Sequence, residues 1–374
     1  MSKIAIGLSG GVDSSVAASL LKSQGHQLIG VFMRFWHDVD TTSCFQCAEN
    51  KCCNEESLRK IRRLCIKLDI PLVIYDFSQE FKKAVVDKFI SYYAHGQTPN
   101  PCVWCNEEIK FKLFYKRAKS DYDIDYIATG HYASIQFINN HYYISQAVDS
   151  SKDQSYFLYR IPQDILPKII FPLADYQKNQ IKQMAVSEFP DFSFSTQKES
   201  QDLCFVSGDY QSFLSQRIST NFFRTGNIVN LQGDIVGRHQ GLFNYTIGQR
   251  KGLTAGGGQV YYVKDIDTDH NQLIVAEKSE MLCDEVLITN IVSSPKLASA
   301  TNLCSSDNND QNMHAQIRYH SPLTSCCVVA EENDNHSTLI IKFAESQFAP
   351  APGQHLVIYN KHLVIGGGEI KKTI

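Results

Sequence analysis

No apolar run in the sequence reaches the roughly 20 residues that a membrane-spanning helix needs. Basic residues are not in excess: 36 Lys and Arg stand against 39 Asp and Glu, for a formal net charge of −3. That balance is not the signature of a protein that coats nucleic acid, yet it leaves room for a local basic face on one folded RNA. Met1 to Lys3 run directly into Ile4, Ala5 and Ile6, with neither the basic stretch nor the apolar core of a signal peptide. A cytoplasmic protein with no membrane partner is therefore expected. No internal repeat is visible.

Cysteine is what the chain has in quantity, with 12 residues. A reducing cytosol disfavours structural disulfides, so these thiols read first as metal-binding or catalytic. At 374 residues the chain is too long for one ordinary core, and two or three domains are expected.

The first 130 or so residues alternate short apolar strands with amphipathic helices. Candidate strands are Ile4 to Leu8, Leu28 to Phe35, Leu72 to Phe77 and Tyr126 to Thr129; Leu58, Ile61, Cys65 and Leu68 mark one helical face. The pattern predicts an α/β domain with a doubly wound sheet, whose ligand site lies at the carboxyl ends of its strands. From about Gly226 it changes to short strands at Gln259 to Lys264, Leu273 to Glu277, Val286 to Ile291, Ala315 to His320, Leu339 to Phe343 and Leu356 to Tyr359. This half is predicted to be β-rich, with small barrels or sandwiches, and the polar stretch from Ser293 to Asn312 to be an exposed loop. The boundaries expected are 1–207 for the α/β domain, 208–280 for a small central β-rich domain and 281–374 for a C-terminal β-barrel.

The sharpest chemical signal is Ser9-Gly10-Gly11-Val12-Asp13-Ser14-Ser15, between the first strand and a helix. Glycines let backbone N–H groups approach a phosphate, and Asp13 is placed to hold a divalent ion on a pyrophosphate. A Walker loop would end in Gly-Lys-Ser or Gly-Lys-Thr, and that lysine is missing. The loop is the signature of the PP-loop ATP pyrophosphatases, which the chain resembles. The resemblance implies ATP cleaved between its α and β phosphates and a carbonyl oxygen adenylated.

A second signal is Thr98-Pro99-Asn100-Pro101-Cys102-Val103-Trp104-Cys105-Asn106, read as an extended loop ahead of a helix beginning near Glu107. Either cysteine is a candidate nucleophile, and the Cys-x-x-Cys spacing also suits a zinc half-site or a redox pair. Ser200-Gln201-Asp202-Leu203-Cys204-Phe205-Val206 contributes a lone cysteine, which alone reads as a small buried hydrophobe. Cys44, Cys47, Cys52 and Cys53 offer zinc spacing but read better as a cysteine-rich loop.

With Gly130-His131-Tyr132, Lys152-Asp153-Gln154-Ser155-Tyr156, Thr246 to Gly252, Arg318-Tyr319 and Pro352-Gly353-Gln354, these motifs resemble the tRNA-specific 2-thiouridylases from about residue 3 to residue 369. The resemblance implies thiolation of C2 of the wobble uridine in tRNA, expected for the lysine, glutamate and glutamine acceptors. It implies ATP and Mg²⁺ as cofactors, and sulfur relayed as a persulfide from a cysteine desulfurase. Cys105 falls on the nucleophile and Cys204 on the persulfide carrier. Gly7, Leu8, Ser9, Gly10, Gly11, Val12, Asp13 and Ser14, with Met33 and Gly130, fall on ATP-binding positions. Asn100, Pro101, Cys102, His131, Lys152, Asp153, Gln154, Arg318, Tyr319 and Gln354 fall on tRNA-binding positions, and Arg250 and Lys251 are further candidate phosphate contacts.

One position departs from the commoner pattern, which has Asp where this chain has Cys102. Cys102, Cys105 and Cys204 are then also an alternative ligand set for an iron–sulfur cluster, against the preferred metal-free cysteine pair. The competing functions are a PP-loop enzyme that transfers nitrogen, which needs neither Cys105 nor Cys204, and a non-catalytic RNA-binding protein, which need not keep Asp13. A branch that takes sulfide directly, without a relay, shares the same residues.

Overall fold

The computed structural model describes residues 1–36, 55–192, 203–206, 210–218, 223–253, 259–300, 313–330 and 338–374. Cys44, Cys47, Cys52 and Cys53, with the zinc reading placed on them, lie outside the described residues. The chain divides into two compact units, one of residues 1–86 and 102–208 and one of residues 87–101 and 209–374.

In the first unit, β1 (Lys3–Gly7), β2 (Gln27–Arg34), β3 (Leu72–Asp76), β4 (Tyr126–Ala128) and β7 (Ile169–Ile170) make one parallel sheet in the order β3-β2-β1-β4-β7. Helices α1 (Val12–Ser23), α2 (Glu55–Leu68) and α3 (Lys178–Glu188) belong to this unit. Ile4, Ile6, Val16, Ala17, Ile61 and Ile181 are all fully buried in its core. Each buried Ile or Val side chain is worth about 1.5–3 kcal/mol. The order reverses between β1 and β4, and α/β sheets bind ligands in the crevice at that switch point. A two-residue Asn139-Asn140 turn, both with positive φ, closes the hairpin of β5 (Ser134–Ile138) and β6 (His141–Ser145).

The second unit holds two β assemblies. A four-stranded sheet runs β10 (Tyr262–Asp267), β11 (Gln272–Ala276), β8 (Gly226–Val229), β9 (Ile235–His239), with Ile228, Val263 and Leu273 buried within it. Six antiparallel strands form a closed barrel: β12 (Leu282–Ser293), β15 (Thr338–Phe348), β14 (Thr324–Ala330), β13 (Met313–Gln316), β16 (His355–Asn360) and β17 (Leu363–Thr373), with β17 returning to β12. Closure depends on the glycines of β17. A Cβ on Gly366 would stand 2.5 Å from the Val292 carbonyl, and one on Gly368 2.6 Å from that of Thr289.

Two expectations are corrected in detail. The Ser293 to Asn312 stretch contains a helix, Pro295–Ala300, since Pro is suited to the first helical position; residues 301–312 lie outside the described ones. The strand expected at Ala315 to His320 ends at Gln316, where the chain enters a turn that carries His320 at φ 64°.

Candidate active site

Gly7 ends β1 against Met33 of β2: an added Cβ would lie 3.0 Å from the Met33 methyl. Gly10 has φ +79°, and its Cβ would stand 3.2 Å from the Ser57 carbonyl, so this turn requires glycine on both counts. Ser9 N–H donates to Ser14 Oγ at 3.2 Å, and Ser14 Oγ donates to the Gly11 carbonyl, which draws the loop into a ring. No side chain caps the start of α1, so its first amides are left to face an anion. Gly130, just beyond β4, closes the far wall: a Cβ there would sit 2.8 Å from Ser14 N. The residues expected at the nucleotide therefore converge on the switch point between β1 and β4.

Asp13 is not isolated. Lys178 Nζ, at the first residue of α3, lies 2.7 Å from both Asp13 oxygens, and Tyr132 Oη donates to Oδ1 at 2.8 Å. Lys178 was not legible as a site residue, because 165 residues of chain separate it from Asp13.

Cys102 and Cys105 lie inside a helix rather than on a loop before one, which corrects the expected start near Glu107. Helix begins at Pro101–Trp104, continues as a π-helical Cys105–Leu113 and ends as Phe114–Tyr122. Pro101 fits a first turn, where its missing N–H is no loss. π-helical turns recur at functional sites. Cys102 is exposed and Cys105 is buried at 4% exposure. Asn106 Nδ2 donates to the Phe157 carbonyl at 3.2 Å, and the largely buried Arg160–Glu107 pair, 2.6 Å apart, fixes the same turn. Burial works against the Arg160 charge, but Glu107 outweighs it and keeps the guanidinium protonated.

Cys204 is half-buried and is anchored by its neighbour Phe205, whose ring meets Phe81 edge-on at 5.7 Å; Phe81 in turn contacts Phe35, just past β2. Cys102, Cys105 and Cys204 are thiols. Among the described residues no three Cys, His, Asp or Glu side chains stand grouped so as to hold a metal ion.

His131 packs against Phe111 and Phe171 and shares a hydrogen bond with Thr129. Burial, helped by the Lys110 charge, pushes its pKa down to about 3, so it is a neutral ring. Asp153 accepts from Ala147 N–H and Ser155 Oγ, and burial raises its pKa. Gln154 Oε1 accepts from Tyr132 N–H. These two side chains hold their own loop, whereas Lys152 lines a cleft of about 280 Å³ with Lys178 and Lys182.

In the second unit, Gln354 Nε2 donates to the Thr98 carbonyl at 2.9 Å, and Thr98 N–H donates to that of Pro352. Gln354 is thus tied to the segment carrying Asn100 and Pro101. Arg318 is exposed in the turn after β13, and its neighbour Tyr319 stacks on His320 with ring centroids 3.8 Å apart. Arg250 and Lys251 are exposed as well.

A glycine loop at the switch point of a parallel sheet, walled by Gly130 and carrying one acidic side chain, defines a nucleotide-binding α/β domain of the PP-loop kind. Residues 2–208 match the model of the tRNA methyl transferase HUP domain, 211–277 that of the tRNA methyl transferase PRC-barrel domain and 294–370 that of the aminomethyltransferase beta-barrel domain. A tRNA-specific 2-thiouridylase MnmA of Natranaerobius thermophilus is 37% identical over 99% of this chain and 98% of its own. The MnmA of Roseiflexus sp. is 37% identical over the whole of both chains, and that of Caldicellulosiruptor saccharolyticus 35% identical over 100% of this chain and 99% of its own. The chain belongs to the tRNA-specific 2-thiouridylase family. A solved 4-thiouridine synthetase–RNA complex with bound ATP overlaps 58% of this chain and 50% of its own at 17% identity and a TM-score of 0.33, too distant a likeness to argue from.

Proposed function

We propose that this protein is the tRNA-uridine 2-sulfurtransferase that replaces the C2 oxygen of the wobble uridine with sulfur at the expense of ATP. The observation that carries the reading is the end-to-end match to relatives named tRNA-specific 2-thiouridylase in a chain that keeps both Cys105 and Cys204. The methyl transferase label of two matched models does not compete with it. An activated methyl donor already carries its electrophile and needs no phosphate loop, whereas an amide-like oxygen must be turned into a leaving group.

The loop from Gly7 to Ser14, with Met33 and Gly130, holds ATP so that the C2 oxygen attacks the α-phosphorus and pyrophosphate leaves. Mg²⁺ suits the donor set: it is usually held by one or two carboxylates plus substrate phosphates, and Asp13 is the acid at the loop. When bound, the ion supplies charge neutralisation on the pyrophosphate. Cys204 carries the relayed persulfide, whose terminal sulfur attacks C2 and expels AMP with the former C2 oxygen. The Cys105 thiolate then attacks Cys204 Sγ; the bond from Cys204 to the transferred sulfur breaks, its electron pair goes to the new C2=S group, and a Cys105–Cys204 disulfide forms. An external reductant restores both thiols. The buried setting of Cys105 and the Phe205 anchor beside Cys204 limit the freedom of each cysteine.

On this reading the tRNA contacts are Asn100, Pro101, Cys102, Lys152, Arg318, Tyr319 and Gln354. His131 adds a neutral aromatic face beside which an extruded base can stack. Asp153 and Gln154 act through the loop that they shape. The substrates are the lysine, glutamate and glutamine tRNAs, and the sulfur comes from a relay fed by a cysteine desulfurase in the cytoplasm. The domains divide as 1–207, 208–280 and 281–374. Nucleoside mass spectrometry of tRNA from cells lacking the protein tests the function, because 2-thiouridine derivatives should vanish at the wobble position. Their persistence at normal levels would refute it.

A further inference from the structure

The glycine loop lacks the lysine that phosphate loops ending in Gly-Lys-Ser or Gly-Lys-Thr carry, yet a departing pyrophosphate gains charge that some cation must balance. Lys178 reaches that loop from α3. Its Nζ bridges both Asp13 oxygens at 2.7 Å, stands 5.6 Å from the centre of the Tyr132 ring, and belongs to a side chain only 12% exposed. Its backbone is tethered independently: Lys178 N–H donates to Asp149 Oδ2 at 2.8 Å. The Cα is thereby held while four methylenes remain to swing the ammonium.

We infer that Lys178 is the catalytic cation of the adenylation step, an assignment that rests on the proposed function. In the nucleotide-free loop its ammonium neutralises Asp13, whose lone carboxylate would otherwise repel an incoming polyphosphate. A nucleoside triphosphate brings several negative charges against the single charge of Asp13. The ammonium then moves to the β- and γ-phosphate oxygens and stays with them as the bond from the α-phosphorus to the bridging oxygen breaks. The electron pair of that bond leaves on the pyrophosphate, next to Lys178. The lysine missing after the glycines is thus supplied from a helix far along the chain.

The test uses the full-length enzyme with tRNA, ATP, Mg²⁺ and a persulfide donor, and compares Lys178→Met and Lys178→Arg with the wild type. Lys178→Met should lose about 10²–10³-fold in AMP formation, the usual loss when one preorganised charge-stabilising group is removed. Inhibition by added inorganic pyrophosphate should weaken by roughly tenfold or more, since the contact to that product is gone. Lys178→Arg should recover part of both, while thermal unfolding and tRNA affinity stay at wild-type values. A purely structural counter-ion to Asp13 would leave pyrophosphate inhibition untouched, and that result would overturn the assignment. AMP formation within about threefold of wild type in Lys178→Met would overturn it too. Should Lys178→Met fail to fold, Lys178→Arg decides alone: unchanged pyrophosphate inhibition in it counts against the assignment and weakened inhibition for it. A wild type that makes no AMP would bring down the proposed function instead.

Discussion

Gln354 and Thr98, 256 residues apart in sequence, are joined by a 2.9 Å hydrogen bond from the Gln354 side chain to the Thr98 carbonyl. Gly353, at φ +88°, lets the barrel chain turn tightly enough for this, and an added Cβ there would stand 3.1 Å from Gln97. The segment leading into the Cys102 helix is therefore held by a barrel residue. Gln354→Ala removes one net hydrogen bond of about 1 kcal/mol, so kcat/KM for tRNA should fall roughly five- to tenfold. The KM for ATP should stay unchanged, and steady-state kinetics with each substrate varied in turn would show the split.

Asp13→Asn should abolish AMP formation while leaving tRNA affinity intact, because the carboxylate stands in the glycine loop with Lys178 and Tyr132 as its partners. Release of radiolabelled AMP beside a filter-binding titration separates the two. Normal AMP release by this variant would remove the assignment of the loop.

Cys105→Ser and Cys204→Ser should each abolish 2-thiouridine formation, whereas Cys102→Asp should be tolerated at that exposed position. Three other cysteines, Cys65, Cys283 and Cys326, should prove inert. Burial raises the thiol pKa values of Cys65 and Cys283 to about 11 and of Cys326 to about 12, so at neutral pH almost none is thiolate. Mass spectrometry of folded protein after brief iodoacetamide treatment at pH 7.5 should find these three unlabelled.

Glu369 is a buried acid of the barrel, contacted by Tyr92 Oη at 2.6 Å, Lys88 Nζ at 3.4 Å and Asn290 Nδ2 at 3.0 Å. Burial alone would raise its pKa, but the Tyr92 hydrogen bond and the charges of Lys88 and His355 outweigh it and bring the value down to about 2. A depressed carboxyl pKa stabilises the fold above the ordinary value of 4.5 and ceases to do so as pH falls toward 2. Glu369→Gln should cost about 2 kcal/mol at pH 7, in line with hydrogen bonds to a charged group. The gap from wild type in denaturant melts should narrow steadily below pH 4.5.

Arg318 projects from the barrel as an exposed charge. If it contacts a tRNA phosphate, Arg318→Ala should lower the slope of log affinity against log salt by about one unit. Binding titrations at several ionic strengths measure this, and an unchanged slope would remove Arg318 from the tRNA grip.

Local pattern was enough for the parallel sheet and the phosphate loop. Burial on both faces writes Ile4, Ala5 and Ile6 as a continuous apolar run, and a glycine such as Gly10 at positive φ is a requirement of the backbone itself. The start of the cysteine helix at Pro101 is not legible locally, because Pro99 and Pro101 signal extended chain as readily as a helix N-terminus. β5, β6, β7, β8, β9, β14 and β17 are not among the strands that the local pattern predicts; β9 and β17 carry glycine and polar residues that become strand only when a sheet or barrel supplies partners for their backbone groups. What the sequence determined unaided is whatever depends on near neighbours: the glycine loop, the spacing of Cys102 and Cys105, the periodicity of α2. Which distant side chains meet depends on the folded chain as a whole. Lys178 on Asp13, Gln354 on Thr98 and Phe205 on Phe81 join residues more than 100 positions apart. Such contacts form because burial of the cores repays the entropy of closing long loops, and that gain belongs to the whole fold rather than to any segment.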